Sequence, residues 1–462
     1  MKNIFKRILI LVLCFLTVFA FAACDRGGGE DGPGRTKKKT IEFLHIWPEH
    51  SAAIQKVIND FMAENEDITV KPLQSSYSDI QTQLNSQVIS QSLPDIFFYW
   101  TNQIQGYIDA GVLLDLAPYT EGWMDTYIED GAPSWGLAKR GSAYYSVPLR
   151  QSGNVIVYNK TLFEEKNITE LPATYQEFES LLAKVRTFSN FASYCPVAVS
   201  GTNGGYLIDF YYMLNNFHAL LQESYKDSHF KSALIDDSDA KSLEYTAKML
   251  DKIADLYAKG YFGQAEGKSD ETAVRNFKEG NAAMVYMNYN NINLLGDVDF
   301  EYGYFSVPGP DGLNYNYIRS DYDGFCIAKN TKNAEACVRF LKYLTSKDVI
   351  TQFANDTNSI VPIEGVEYEN PVNQELADVL NNSGSALLIQ NEIAYSTGDI
   401  QNKVVESVYN IIYGKGSDSS LKVAEKISDW YEDCVKEAGL KRYAPEKPID
   451  ETKDYSWLAI RK

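Results

Sequence analysis

The chain has 462 residues, a hydrophobic content of 45% and a formal net charge of −19 at pH 7. This length and apolar content suffice for two or three domains with sizeable cores. The acidic balance repels phosphate backbones, so we expect no nucleic acid among its partners. Aromatic residues make up 13% of the chain, and tyrosine suits surfaces that bind both apolar and polar groups.

The first 23 residues have the layout of a secretory signal, because basic residues precede an apolar run, 8–23, that is too short to span a bilayer. The small pair Ala22-Ala23 stands directly before Cys24 and resembles the lipobox of bacterial lipoproteins. This resemblance implies a signal peptide over 1–23 and a lipid anchor on Cys24 at the extracytoplasmic face of the cell membrane. An ordinary signal peptide with a chance cysteine is the alternative. The stretch 24–39 is rich in Gly and charge and is predicted to be a flexible tether.

The segment after the tether alternates strand and helix patterns. "IEFLHIW" (41–47) indicates a strand, and the apolar spacing from Ile54 to Met62 indicates one face of a helix. Strand 68–73, helix 78–92 and strand 94–100 follow. The order β-α-β-α-β predicts a parallel sheet with right-handed crossovers.

Later segments repeat the alternation. Thr174 and Glu177 have the spacing of a capping box before a helical face. The remaining predicted elements are strand 195–200, helices 205–217 and 239–259, strands 282–287, 302–308 and 324–328, and a mostly helical stretch from 332 to the end. Two extended stretches, 144–160 and 300–312, are predicted either to cross between lobes or to be ordinary edge strands.

Motifs for metal, phosphate or covalent chemistry are weak, and we expect no cofactor and no metal. His45 and His50 have no ligand spacing, 236–244 lacks the glycine of a calcium loop, and 263–269 has the wrong spacing for a P-loop. The four cysteines after the tether are expected to be buried thiols, with a Cys326–Cys337 bridge as the alternative.

The order of several segments carries a family resemblance. The segments are "IEFLHIW", "SQSLPDIFFYW", "GYIDAGVLLDLAPY", "YYSVPLRQSGNVIVYNKTLF", "FKEGNAAMVYMNYNNI", "YGYFSVPGPDG" and "DGFCIAKNTKNAEACVRFLKYL". In this order they resemble the family 1 extracellular solute-binding lipoproteins, the carbohydrate-binding components of ABC importers that include maltose-binding protein.

The resemblance implies an α/β, two-lobed periplasmic-binding-protein-like fold of type II, in which each lobe is a mixed sheet flanked by helices. Lobe one would comprise 40–147 plus 301–345, and lobe two 148–300 plus 346–462. The chain would cross between them near 147–157, 298–304 and 344–350. The ligand cleft would lie between the lobes and close by a hinge motion.

In open α/β sheets, ligands sit beyond the carboxyl ends of strands, which selects candidate contacts independently of the family. Aromatic rings can cover the C–H faces of a sugar, while carboxylates, amides and guanidinium groups bind its hydroxyls. Core packing is the competing interpretation for every ring, and Asp95 could instead cap the local backbone. The candidates are Trp47, Glu49, Asp95, Tyr99, Trp100, Arg150, Gln151, Asn154, Asn203, Tyr206, Asn288, Tyr289, Tyr322 and Asp323.

The sequence therefore predicts a monomeric, lipid-anchored binding protein that captures a carbohydrate, with an oligosaccharide favoured, by lobe closure and delivers it to ABC permease subunits. We expect it to catalyse no reaction. A membrane-anchored glycoside hydrolase is one alternative, because acid pairs and aromatics also serve that reaction. A ligand sensor for a membrane receptor is another. Peptide or another polar solute also fits the polar and aromatic mixture.

Overall fold

In the computed structural model, the described residues are 38–76, 79–100, 104–127, 139–140, 142–200, 240–263, 269–306, 317–382, 384–386 and 398–437. The strands are β1 (Lys39–His45), β2 (Ile68–Gln74), β3 (Ile96–Trp100), β4 (Lys139–Arg140), β5 (Ala143–Tyr144), β6 (Val147–Asn159), β7 (Cys195–Val199), β8 (Ala282–Asn288), β9 (Tyr302–Phe305), β10 (Tyr317–Ile327) and β11 (Gly384–Ala386).

The α-helices, numbered along the described part of the chain, alternate with the strands up to β10 and dominate after it. They are α1 (Ser51–Glu64), α2 (Ile80–Ser90), α3 (Ile104–Asp109), α4 (Lys160–Glu165), α5 (Tyr175–Arg186), α6 (Ala240–Ala258), α7 (Asp270–Lys278), α8 (Ala334–Leu344), α9 (Lys347–Thr357), α10 (Pro371–Asn382), α11 (Gly398–Ile412) and α12 (Ser420–Glu437). The predicted helix 205–217 lies outside the described residues.

The first strands and helices follow the predicted alternation. β1 pairs with β3 in parallel, with Phe43 opposite Ile96. α1 buries Ile54 and Phe61 on the face that the apolar spacing predicted. Since a helix with one apolar stripe is stabilised by packing that stripe on a sheet, α1, which connects β1 to β2, packs in the same apolar cluster as these strands.

One sheet contains nearly all the strands, in the order β2-β1-β3-β10-β6-β8-β7, with β11 paired to β10 and β9 paired to β6. β10 runs antiparallel to both β3 and β6. The sheet is therefore mixed, because a strand from late in the sequence is inserted between two early ones.

The 13-residue strand β6 changes partners along its length. Its first half pairs with β10, from Val147 opposite Phe325 to Gly153 opposite Ser320. Its second half pairs with β8 and β9, beginning with Asn154 opposite Asn288. The stretch 144–160, predicted either as a crossing or as an edge strand, is thus an interior strand shared by two groups of strands.

Gly324 lies where β10 comes unusually close to β6. The pairing register shifts between Asp323 and Gly324, which marks a bulge. A Cβ atom at position 324 would lie 2.2 Å from the carbonyl oxygen of Val147. Only glycine allows the two backbones to approach this closely.

The strands that pair with the second half of β6 are arranged like those at the start of the chain, where β1 and β3 are parallel. β7 pairs with β8 in parallel, with Cys195 opposite Ala282. The capping box of α5 forms as predicted, because Thr174 Oγ1 accepts from the amide of Glu177 and the Glu177 carboxylate accepts from the amide of Thr174. The helix then buries Phe178 on its inner face.

Among the described residues, buried apolar side chains form three clusters. One draws on residues between 41 and 149 and between 322 and 363. The other two draw on residues between 155 and 305 and between 360 and 427. Two parts of the predicted lobe boundaries differ from this packing. β9 packs in the second set, although 301–345 was assigned to lobe one, and α9 packs in the first, although 346–462 was assigned to lobe two.

The last passage between the clusters begins near Ile360, which belongs to the second set; the chain returns to the first cluster at Val361 and Ile363 and reaches the second set again at Leu376. It lies beyond the stretch 344–350 that the resemblance implied, because the apolar face of α9 still packs with the first cluster. The amide of Gln151 donates to the carbonyl of Ile360 at 2.8 Å, so this passage runs beside the middle of β6. The division into two moving lobes stays a prediction.

Three cysteines are described in full, and all are buried free thiols: Cys195, Cys326 and Cys337. The alternative of a Cys326–Cys337 bridge is therefore wrong. Burial raises the pKa of the Cys337 thiol to about 12, which keeps it protonated and unreactive. Within the described ranges, no helix combines the length and the apolar run needed to cross a bilayer.

Candidate functional site

The candidate residues of the first group of strands meet at one edge of the sheet. β1 and β3 are parallel, so their carboxyl ends lie on the same side of the sheet. Trp47 follows the end of β1, and Trp100 is the last residue of β3. Asp323 on β10 is opposite Trp100 on one side and opposite Arg150 on the other. The rule that ligands bind beyond the carboxyl ends of strands therefore selects neighbouring positions here.

Arg150 and Asp323 form a buried ion pair. The Nη2 atom of Arg150 lies 2.8 Å from Oδ2 of Asp323, and the side chains are 7% and 6% exposed. The Nε atom of Arg150 also donates to Oδ1 of Asp323 at 3.2 Å. This two-point geometry fixes both side chains and mutually neutralises two charges that would be costly to bury alone.

Trp47 packs under this pair. The guanidinium carbon of Arg150 lies 4.9 Å from the centre of the Trp47 ring. The ring has 0% exposure and makes edge contacts with Phe98 and Phe325. Core packing was the competing interpretation for this ring, and the structure packs Trp47 in the core beneath Arg150; its role as a ligand contact stays a prediction.

Glu49 is the more accessible acidic group beside Trp47. It lies in the short 3₁₀ helix Pro48–His50, with a side chain that is 45% exposed. Its Oε1 atom lies 3.8 Å from Nε2 of His50. Burial, helped by the charge of Arg150 and opposed by Glu49, lowers the pKa of His50, and burial lowers the pKa of His45 to about 4. Both imidazoles are neutral at pH 7, so Arg150 is the cation among the described side chains at this end of the site.

The described tyrosine candidates pack in the apolar clusters. Tyr99, Tyr289 and Tyr322 are all buried, and their roles as ligand contacts stay predictions. Burial raises the pKa of Tyr99 well above its ordinary value, so the phenol stays neutral. Trp100 is described through its backbone alone, and its role as a ligand contact stays a prediction.

Amide side chains line the middle of β6 and the end of β8. Gln151 and Asn154 are buried in β6. Asn288 accepts from the amide of Asn290 through its side-chain oxygen, and its Nδ2 donates to Oγ of Ser152 at 3.0 Å. These contacts orient the amides at the carboxyl end of β8.

Ser152 and Asn290 were missed by the sequence reasoning. Asn290 Nδ2 also donates to the carbonyl of Gln151 at 3.4 Å, which ties the 3₁₀ helix Tyr289–Leu295 to β6. The run of polar residues "NYNN" after a buried strand was the available signal, although spacing alone does not show which asparagine turns back to the sheet.

Asp95 lies apart from the other candidates, at the amino end of β3. Its carboxylate accepts from the amide of Glu42 at 2.9 Å and from the hydroxyl of Thr331 at 2.5 Å. It ties β1, β3 and the turn before α8 together, and these bonds to distant segments differ from the cap of the local backbone that the sequence offered as the alternative. Asn203, Tyr206 and Cys24 lie outside the described residues.

The two polar groups are separated by a short length of β6. Four residue steps from Arg150 to Asn154, at roughly 3.3 Å each, give about 13 Å along the strand. Arg150, Asp323 and Glu49 stand at one end, and Asn154 and Asn288 at the other. The arrangement offers hydrogen-bond donors and acceptors at both ends. No group of three or more His, Cys, Asp or Glu side chains suited to a metal occurs in the described part of the chain.

Comparisons with known proteins agree on the family. The family described as bacterial extracellular solute-binding protein matches residues 56–377. The multiple sugar-binding protein of Streptococcus mutans is 26% identical over 377 residues, 79% of this chain and 84% of that protein. The diacetylchitobiose binding protein DasA of Streptomyces coelicolor is 24% identical over 372 residues, 74% of this chain and 78% of that protein.

Solved structures share the fold. Apo RafE from Streptococcus pneumoniae has a TM-score of 0.69 at 19% identity, covering 87% of this chain and 100% of its own. The sugar-binding protein MalE from Xanthomonas citri has a TM-score of 0.67 at 16% identity, with coverage of 87% and 100%. The predicted α/β periplasmic-binding-protein-like fold class is confirmed. With a family match over most of its length, the chain belongs to the bacterial extracellular solute-binding proteins.

Proposed function

We propose that this protein captures a carbohydrate, with an oligosaccharide favoured, outside the cytoplasm and delivers it to the permease of an ABC importer. The observation that carries the proposal is the family match over residues 56–377. Relatives along most of the chain are named for binding multiple sugars and diacetylchitobiose. We extend that ligand class to this chain because its candidate site has suitable chemistry.

The polar groups at the two ends of the site suit sugar hydroxyls. Glu49 supplies a half-exposed carboxylate, and Asn154 and Asn288 supply amides at the other end of β6. Arg150 is already paired with Asp323, so the described cation at this site is neutralised. This balance favours a neutral polar ligand over an anionic one.

Closure of two lobes would complete the site. β6 and the chain near Ile360 pass between the hydrophobic clusters side by side. Small changes in backbone angles at such crossings produce hinge motions. Bound sugar would touch groups from both sides of the crossing, and the permease would then meet a closed, loaded protein.

The first expected result is thermal stabilisation of the full-length protein, purified in detergent, by maltotriose, raffinose or diacetylchitobiose. A ligand that binds only the folded state at about 100 times its Kd stabilises that state by about 2.7 kcal/mol, so Tm should rise by a few degrees. Di- and tripeptides serve as controls. A rise with peptides and none with any sugar would contradict the carbohydrate assignment.

We further propose that the chain catalyses no reaction on its ligand. The sugar recovered from the stabilised samples should be intact by mass spectrometry after prolonged incubation. Hydrolysis products that grow in proportion to protein concentration would favour the membrane-anchored glycoside hydrolase instead.

We also propose that the protein is monomeric and that a lipid on Cys24 attaches it to the membrane. In cells, the unaltered protein should fractionate with membranes and incorporate labelled palmitate. Cys24→Ser should abolish the label, because the thiol that carries the diacylglycerol is gone. Cys14→Ser is the matched control, since Cys14 lies inside the predicted signal. Labelling that survives Cys24→Ser would show that the lipid is attached elsewhere, whereas absence of label in the unaltered protein would contradict lipidation.

A further inference from the structure

A hydrogen bond between two asparagines joins the first cluster to the second set, beside the last passage of the chain between them. Asn358 ends α9, whose apolar face packs in the first cluster. Asn373 lies in the first turn of α10, whose Leu376 packs in the second set. The Nδ2 atom of Asn373 donates to Oδ1 of Asn358 at 3.1 Å. The end of one helix and the start of the next, which belong to different clusters, are therefore held together directly.

The residues around this bond are polar and buried, whereas the packing on either side is apolar. Thr357, Ser359 and Asn373 are all buried. Oγ1 of Thr357 lies 2.9 Å from Oγ of Ser359, so these two hydroxyls satisfy each other. Buried polar groups that are paired in this way fix one local arrangement, because other arrangements leave them without partners. Directional bonds therefore hold this part of the passage.

Asn358 has a backbone conformation that few residues adopt. Its φ is +52°, in the left-handed region that glycine and asparagine tolerate best. Its amide donates to the carbonyl of Ala354, which closes the last turn of α9. Asn358 thus ends α9 through its backbone and supplies the acceptor for α10 through its side chain.

A second point of the same passage is tied to β6. The amide of Gln151, inside the candidate site, donates to the carbonyl of Ile360 at 2.8 Å. The amide of Val361 donates to the hydroxyl of Tyr368 at 3.2 Å, and the Tyr368 ring packs against both the first cluster and the second set. With one fixed point at β6 and another at the asparagine bond, rotation about the line that joins them is the least restricted relative motion of the two sides.

We infer that the bond between Asn373 and Asn358 is a fixed pivot for lobe closure, which makes Asn373 a positioning residue for ligand binding. The inference rests on the proposed function, because a pivot affects affinity only in a protein that closes around its ligand. Without the bond, the start of α10 separates from the end of α9, and the two sides of the site sample more relative arrangements. A ligand that touches both sides must then order them, and this cost weakens binding.

The competing interpretation is that the bond contributes to stability alone. It predicts a lower free energy of unfolding, with unchanged Kd and unchanged amide exchange of the passage in the folded state. Asn358→Gly separates the hydrogen bond from the turn, because glycine keeps the left-handed backbone and lacks the acceptor. The matched control is Asn59→Ala, since Asn59 Oδ1 accepts from Gln55 Nε2 at 2.9 Å within α1 alone.

The first measurement is amide hydrogen exchange of the full-length protein in detergent, followed by mass spectrometry without ligand. Asn373→Ala and Asn358→Gly should each speed exchange of the Gln151 and Val361 amides about fivefold, the factor that corresponds to one neutral hydrogen bond. Asn59→Ala should leave both rates unchanged. The second measurement is Kd by calorimetry for whichever of maltotriose, raffinose and diacetylchitobiose stabilises the protein most, and the first two variants should raise Kd by a similar factor.

Asn358→Asp should restore both the exchange rates and Kd. A carboxylate oxygen still accepts from Asn373, and aspartate also tolerates the left-handed backbone. Rates and Kd in Asn373→Ala that equal those in Asn59→Ala would overturn the inference, and so would faster exchange with an unchanged Kd.

Two further outcomes are distinguishable. If Asn373→Ala fails to fold, Asn358→Gly carries the same comparison, because Asn358 is exposed. Failure of the unaltered protein to bind any of the three sugars would overturn the proposed function, and the exchange rates of the unliganded variants alone would then decide whether the asparagine bond holds the passage.

Discussion

Replacing Asp323 by Asn is expected to lower the free energy of unfolding by about 3–5 kcal/mol. The variant keeps the size of the side chain but leaves the Arg150 guanidinium buried without its counter-charge. That guanidinium now has two bonds to the carboxylate, from Nη2 at 2.8 Å and from Nε at 3.2 Å. Urea unfolding followed by circular dichroism measures the change.

A matched surface pair provides the control. Lys71 and Glu42 are 2.9 Å apart with side chains 57% and 42% exposed. Glu42→Gln should cost no more than about 1 kcal/mol, since exposed pairs contribute little. A loss for Asp323→Asn as small as that for Glu42→Gln would show that Arg150 remains solvated. The double variant Arg150→Met with Asp323→Leu should recover much of the lost stability, because no unpaired charge remains.

Replacing Trp47 by Ala is expected to cost a similar amount, about 3–5 kcal/mol. The ring is fully buried between Phe98 and Phe325 and supports Arg150 on its face. Its removal leaves a cavity under the ion pair, and the rigid strands around it restrict collapse. The measurement is again the free energy of unfolding. A drop in sugar affinity in this variant would follow from loss of the folded state and would not identify Trp47 as a ligand contact.

A substitution at Phe191 serves as a control, because it shows whether the loss of unfolding free energy in Trp47→Ala comes from burial or from aromatic character. Its side chain is 76% exposed, so Phe191→Ala should change the free energy of unfolding by less than about 0.5 kcal/mol. Trp47→Phe should cost less than Trp47→Ala, because the smaller ring fills part of the space. If Trp47→Ala were no more harmful than Phe191→Ala, the ring would have to be surface-accessible in solution.

The local elements could be predicted because their signals are local. The apolar spacing from Ile54 to Met62 and the Thr174–Glu177 capping box each lie within one or two helical turns, and both formed as expected. The start of β10 was not predicted: Asp323 was expected just before a strand over 324–328, whereas β10 begins at Tyr317 and includes Asp323 opposite Arg150.

Strand pairing and side-chain burial depend on distant parts of the chain, so the sequence alone did not predict them. The insertion of β10 between β3 and β6 joins segments with no shared local pattern. Trp47 has the same neighbours in sequence whether its ring faces solvent or Phe325. Asn358 and Asn373 share no sequence pattern, and only the hydrogen bond between them, across 15 residues, shows that they join α9 to α10.

The insertion of β10 also governs how the protein reaches its native state. Phe98 on β3 pairs with Phe325 on β10, so a loop of about 230 residues must close before the sheet is continuous. Such non-local pairing is slow, and until it occurs both β3 and β6 present unpaired edges. A polypeptide truncated before residue 317 lacks the strand that covers those edges. We expect it to aggregate instead of folding as a smaller binding protein.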